Sequence, residues 1–131
     1  MSFDPLGHIK ISVRDFGESR KFYGQLFDFI GWKMVTDEYD GAGWASPNGF
    51  GFWLVPAEIQ NHPYKFGAPG WHHFCFKAPS RKQVDRLYNE FILPNNIQVF
   101  DAPAAYPQYT ADYYAVFFAD PDGMKLEYGF Y

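Results

Sequence analysis

Two segments of the chain share one alternating pattern of apolar and polar residues. In His8–Val13, isoleucine, isoleucine and valine alternate with polar residues, and His73–Ala78 alternates in the same way with phenylalanine, phenylalanine and alanine. A strand places successive side chains on opposite faces. Each segment therefore predicts a strand whose opening histidine lies on the face opposite the apolar stripe.

A helix is predicted after each of these strands. Asp15 with Glu18, and Ser80 with Gln83, have the spacing of a capping box, in which side chains satisfy the free N–H groups of a starting helix. Apolar residues then recur at helical spacing until Gly31 in the first case and Pro94 in the second.

Three further short strands are predicted after each helix. Asn48-Gly49 and Asp122-Gly123 each stand between apolar runs, which is a strong hairpin signal. Residues 37–43 and 101–110 are predicted loops. The predicted strands are 32–35, 43–46 and 50–55 in the first half, and 97–100, 113–119 and 124–130 in the second.

The two halves are a repeat. His8 aligns with His73, Tyr23 with Tyr88, and the turn Pro47–Gly49 with the turn at 121–123. The sequence therefore predicts an α+β fold within a single domain, residues 1–131. Two βαβββ modules, about 7–56 and 71–131, are joined by a linker at about 57–70 that is rich in Pro and Gly. Each module is expected to be a curved mixed sheet with its helix on the outer face.

Composition narrows the possible partners. The chain has 131 residues, a net charge of −4 and no run of Lys or Arg, so neither a nucleic-acid nor a membrane-surface partner is expected. No apolar run is long enough to span a membrane and no signal peptide is visible. The single cysteine, Cys75, excludes an internal disulfide and favours a cytoplasmic protein; a small buried side chain is the expected role.

Three stretches resemble the vicinal oxygen chelate superfamily, which contains glyoxalase I, type I extradiol dioxygenases, and fosfomycin- and bleomycin-resistance proteins. They are Gly7–Tyr23, His72–Phe91 and Tyr113–Gly129, and together they cover nearly the whole chain. Short relatives of this kind pair their modules between chains, so the resemblance implies a homodimer.

The resemblance also implies a metal site formed by His8, His73 and Glu127, with Glu127 as the catalytic residue. The residues themselves agree, because alternation puts Glu127 on a face with Lys125 and Gly129, away from the apolar stripe. Two imidazoles and a carboxylate suit one divalent ion such as Fe, Mn, Ni or Zn.

The chain departs from the superfamily at the fourth ligand position. Trp53 stands in the first half where Glu127 stands in the second, and an indole cannot serve as a ligand or base. Glu58 is a possible substitute. At the positions where extradiol dioxygenases carry a His and a Tyr, this chain has Gln108 and Phe117. Three tyrosines could stand in for that Tyr: Tyr109, Tyr113 and Tyr114.

Two functions follow as hypotheses. The first is a metal-dependent lyase, isomerase or dioxygenase whose small substrate chelates the ion through vicinal oxygens. The second is a metal-free protein that binds a small molecule in an aromatic groove, as bleomycin-resistance proteins do. In both, Trp53, Tyr113 and Phe117 are candidate pocket residues. Arg14, Arg20 and Lys125 are candidate basic residues near a substrate. His72 directly precedes His73 and is therefore expected to face away from it.

Overall fold

The computed structural model describes residues 4–131, which divide into two compact units at Pro63 and Tyr64. Within these residues each unit has one strand, a helix and three more strands, as the repeat predicts. No helix in this range is long and apolar enough to cross a lipid bilayer.

The first unit is a four-stranded mixed sheet with one helix. The sheet order is β1-β4-β3-β2, with β1 parallel to β4 and the other neighbours antiparallel. Its elements are β1 (His8–Val13), α1 (Phe16–Ile30), β2 (Lys33–Glu38), β3 (Gly41–Ala45) and β4 (Gly51–Pro56).

Helix α1 begins and ends where the sequence predicts. The Asp15 carboxylate accepts a hydrogen bond from the Glu18 N–H at 3.0 Å, and Gly31 ends the helix with a φ of 86°. The helix buries an aromatic face against the sheet: the Phe27 ring centroid lies 5.1 Å from that of Trp44 and 5.2 Å from that of Phe52. On the opposite face of this sheet, His8, Lys10 and Ser12 of β1 are exposed.

The second unit repeats this plan. Its sheet order is β5-β8-β7-β6, again with a parallel pair at one end. Its elements are β5 (Phe74–Lys77), α2 (Arg81–Leu87), a π-helical turn (Tyr88–Ile92), β6 (Val99–Ala105), β7 (Tyr114–Ala119) and β8 (Lys125–Phe130). The Ser80 hydroxyl caps α2 by accepting from the Gln83 N–H at 3.2 Å. Val84 and Leu87 pack the helix on a core that includes Leu126 and Phe118, all fully buried.

The repeat extends to the strand register. Trp53 pairs with Lys10 on β1 and with Gly43 on β3, and Glu127 pairs with Cys75 on β5 and with Phe117 on β7. These are the same places in the two sheets. Trp53 therefore stands where Glu127 stands, as the sequence alignment predicts.

Two predicted loops, 37–43 and 101–110, were too long. Residues 101–105 belong to β6, although this stretch contains Pro103. A proline is tolerated there because β6 is an edge strand, and the register shifts between Asp101 and Ala104. Residues 37–38 extend β2 and residues 41–43 begin β3, because Asp37 pairs with Ala42 and Glu38 with Gly41, which leaves only a tight turn at Tyr39 and Asp40.

Candidate functional site

The second unit carries a buried carboxylate on the sheet face that the helix does not cover. Glu127 lies in the middle of β8 with its side chain only 2% exposed. Its Oε2 atom folds back over Gly129, where an added Cβ would lie 2.8 Å away. A glycine at that position therefore leaves the space that the carboxylate occupies.

His73 lies beside this carboxylate. Its Nε2 atom is 3.1 Å from Glu127 Oε1, and its side chain is 34% exposed, so the imidazole connects the buried acid with solvent. The phenyl ring of Phe117 lies against the imidazole with ring centroids 5.9 Å apart. Three residues predicted to belong to the site are thus adjacent in the fold.

His72 does not face away from His73 as predicted. The two Nδ1 atoms are 2.7 Å apart, so one ring donates a hydrogen bond to the other. The prediction was wrong because β5 begins at Phe74, and strand alternation does not extend to residues before it. The ring of His72 also packs on Phe66 at 4.8 Å.

Tyr113 holds the other oxygen of the carboxylate. Its hydroxyl donates a short hydrogen bond to Glu127 Oε2. Burial of the phenol raises the pKa of Tyr113, and the bond to Glu127 and the charge of that residue raise the pKa further. The ring is stacked on Tyr131 with centroids 4.7 Å apart, which fixes its orientation.

Cys75 lies next to the carboxylate on β5. Burial raises the pKa of its thiol to about 12, with a further contribution from the charge of Glu127. The thiol therefore stays protonated at neutral pH. Cys75 is only half-buried, and its protonated thiol suits a packing role rather than that of a nucleophile.

The first unit carries two predicted site residues on the equivalent face. His8 opens β1, opposite Gly51 on β4, and is exposed. The indole of Trp53 lies flat over two glycines, because a Cβ added to Gly43 would lie 2.6 Å from Cζ3 and one added to Gly51 would lie 2.8 Å from Nε1. These glycines form a seat that leaves one face of the indole partly exposed.

The remaining candidates are distributed over both units. Glu58 is exposed beyond the end of β4. Arg20 is paired with Asp37 on the surface of the first unit. Arg14 and Gln108 are exposed, and Lys125 lies on the same face of β8 as Glu127.

The donor pair in the second unit fits a divalent metal ion. Two neighbouring ligands, each about 2.1 Å from a metal, lie about 3 Å apart at the right angle of an octahedral site and about 3.4 Å apart in a tetrahedral one. The 3.1 Å between His73 Nε2 and Glu127 Oε1 is close to the right-angle spacing, and it is also the length of a direct hydrogen bond between the two groups. In residues 4–131 no three His, Cys, Asp or Glu side chains form a group that could hold a metal ion. The third predicted donor, His8, belongs to the first unit.

Comparison with known proteins identifies related chains over nearly the whole length. The model of the Glyoxalase/Bleomycin resistance protein/Dioxygenase superfamily matches residues 5–128. The uncharacterized protein YqjT of Bacillus subtilis is 30% identical over 125 residues, which is 92% of this chain and 94% of that protein.

Solved structures share the fold. A proposed glyoxalase from Bacillus halodurans has a TM-score of 0.84 and 23% identity, with 97% of this chain and 96% of that chain covered. A glyoxalase/bleomycin resistance protein from Albidiferax ferrireducens has a TM-score of 0.76 and 22% identity, with 98% and 100% covered. Lactoylglutathione lyase from Agrobacterium tumefaciens has a TM-score of 0.68 and 22% identity, with 99% and 96% covered. At these identities the likeness establishes the fold alone.

Two features of the site were missed by sequence reasoning. The partnership of His72 with His73 is signalled only by the adjacent histidines before a strand, and alternation gave the wrong face. The seat under Trp53 is signalled by two glycines: Gly51, two residues before it on β4, and Gly43, which is opposite Trp53 on β3 and is revealed only by the strand register.

Proposed function

Because the chain belongs to the glyoxalase/bleomycin resistance protein/dioxygenase superfamily, we propose that it is a metal-dependent enzyme acting on a small substrate. The substrate would chelate a divalent ion through two adjacent oxygens. The proposed ligands are His73 and Glu127 of the second unit together with His8 of the first. The observation that carries the proposal is the 3.1 Å approach of His73 Nε2 to the buried Glu127 carboxylate.

A bound divalent ion would supply Lewis-acid stabilisation of negative charge on the substrate oxygens. The protein's own residues would prepare that site. Tyr113 donates to Oε2 of Glu127 and so fixes the plane of the carboxylate, with Oε1 left toward His73. We assign Glu127 the catalytic role too, because a carboxylate can accept a substrate proton.

His72 would set the tautomer of His73. If His73 Nδ1–H donates to His72 Nδ1, the lone pair of His73 Nε2 is free to bind an ion. Phe117, which is 8% exposed, and Tyr106, whose ring lies 5.7 Å from it, form an apolar wall beside the imidazole. Such a wall excludes water and strengthens electrostatic interactions at the site.

Metal analysis of the full chain tests the proposal. We expect near-stoichiometric divalent metal in protein purified without chelator, or after dialysis against Mn, Fe, Ni, Zn or Co salts. Glu127→Gln and His73→Ala should lose it. The control Glu90→Gln should retain it, since Glu90 pairs with Arg86 on an exposed helix face. Metal loading that is absent in the wild type, or equal in Glu127→Gln, would refute the proposal. Glu58→Gln tests the possible fourth ligand in the same series.

The second candidate, a metal-free binding protein, is favoured by the seat of Trp53. A flat, partly exposed indole attracts planar and cationic ligands. The probe is the N-methylquinolinium cation, titrated against tryptophan fluorescence. Saturable quenching that is lost in Trp53→Ala, kept in Trp32→Phe, and unaffected by metal removal would favour this candidate over the metalloenzyme.

A homodimer and a cytoplasmic location remain predictions. Light scattering of the purified chain tests the first, with a strict monomer as the contradicting result. Fractionation of the native cells tests the second.

A further inference from the structure

The ammonium group of Lys125 is enclosed by phenylalanine rings. Its Nζ atom lies 4.8 Å from the ring centroid of Phe117, 5.3 Å from that of Phe66 and 5.5 Å from that of Phe100. The backbone at this residue is fixed as well, because the Trp71 indole N–H donates to the Lys125 carbonyl oxygen at 2.9 Å. The cation therefore has a defined position.

Within the part of the chain that the structure describes, this cation has no acidic partner. In residues 4–131 no carboxylate lies within 4.0 Å of Lys125 Nζ, although Arg20 and Arg86 are both paired with acids. The faces of aromatic rings attract a cation but do not neutralise it, and an ammonium group has three N–H donors. Because Lys125 is partly exposed, its charge can be reached by a ligand.

Lys125 lies on the same face of the sheet as the candidate metal ligands. It is two residues before Glu127 on β8, so the two side chains leave the strand on one side, about 7 Å apart. The Phe117 ring connects Lys125 with the candidate metal ligands, because it packs on both the His73 imidazole and the Lys125 ammonium. A small molecule bound next to His73 and Glu127 would therefore meet this charge.

We propose that the Lys125 ammonium, held in place by its three phenylalanine rings, is the cation of an oxyanion subsite for the substrate. The substrate would be a small acid that carries a carboxylate, phosphate or phosphonate group besides the oxygens that chelate the metal. The inference rests on the proposed function in one respect, since it takes the occupant of this face to be the substrate.

Titration of the full chain with inorganic phosphate tests the subsite. Binding is followed by NMR on the Trp71 indole N–H and the Lys125 backbone amide, at constant ionic strength, with neutral trimethyl phosphate as the matched probe. We expect saturable shifts with phosphate and none with trimethyl phosphate. The apparent Kd should rise at least about tenfold in Lys125→Met, which equals about 1.4 kcal/mol.

Two further variants separate charge from packing. Lys125→Arg keeps the charge, so its Kd for phosphate should stay within about threefold of the wild-type value. If the ammonium only packed against the rings, retention of the charge would not be expected to retain phosphate binding. Lys77→Met is the control, because Lys77 lies on the same face but over the single ring of Tyr131, at 4.5 Å. It removes one charge and should leave the Kd within about twofold.

The inference is overturned if the wild type shows no saturable shift, if Lys125→Met binds as well as the wild type, or if Lys125→Arg binds as poorly as Lys125→Met. The titration is repeated after treatment with EDTA, so that it does not depend on metal. Metal uptake without phosphate binding would remove the subsite and leave the proposed function. Phosphate binding without metal uptake would remove the proposed function and leave the subsite.

Discussion

Replacing Tyr113 by phenylalanine removes the hydroxyl that donates to Glu127 and leaves the ring stacked on Tyr131. The carboxylate is 2% exposed, so water has little access to replace the lost donor. A hydrogen bond to a charged group contributes about 1.5–3 kcal/mol, and we expect the free energy of unfolding to fall by about 2 kcal/mol. A change of this size lowers the urea midpoint by about 1 M.

The assay is urea unfolding followed by circular dichroism, in the presence of a chelator. The matched control is Tyr109→Phe, because Tyr109 is 61% exposed and the substitution removes a hydroxyl that is hydrated by solvent. That variant should change the free energy by less than about 0.5 kcal/mol. Equal midpoints for Tyr113→Phe and Tyr109→Phe would refute the reasoning, because they would mean that Glu127 does not depend on the phenol.

Three further predictions concern neighbouring features. The pKa of Cys75 is raised from 9.0 to about 12, so its reaction with a disulfide reagent at pH 8 should be about a thousandfold slower in the folded than in the urea-unfolded protein. Because only the unfolded state then loses this proton between pH 9 and 12, the free energy of unfolding should fall as the pH rises over that range. Equal reaction rates in the two states would contradict the prediction. Gly43→Ala should displace the indole of Trp53 and cost about 1–3 kcal/mol, whereas Gly41→Ala, with no atom nearer than 3.8 Å to the new Cβ, should cost less; urea unfolding and tryptophan fluorescence decide. His72→Phe should weaken metal binding at least about tenfold in a cobalt titration, and unchanged affinity would show that this ring does not orient its neighbour.

Much of the fold follows from local signals in the sequence. The capping residues Asp15 and Ser80 stand where the two helices begin, and each one's side chain accepts the N–H three residues on. The two halves that repeat in the sequence also pair their strands in the same register, so that Trp53 and Glu127 occupy the same place in the two sheets. These predictions succeeded because capping, alternation and duplication depend on residues that are close in the sequence or equivalent in the repeat.

The errors came from features that depend on which strands are neighbours. Pro103 indicated a loop, but a proline is acceptable in β6 because the strand lies at the sheet edge. His72 was placed by strand alternation, although the strand begins only at Phe74. The enclosure of Lys125 combines rings from a loop and two strands, and no spacing in the sequence brings Phe66 next to Phe117.

The most direct test of the proposed metal site is an anomalous difference map from crystals of the full chain grown with a cobalt salt. The proposal predicts one strong peak per chain, about 2.0–2.2 Å from His73 Nε2 and from a Glu127 oxygen, with His8 as a further ligand. A peak bound to other residues would contradict it. So would a map without a peak in which Glu127 still contacts His73 and Tyr113 directly.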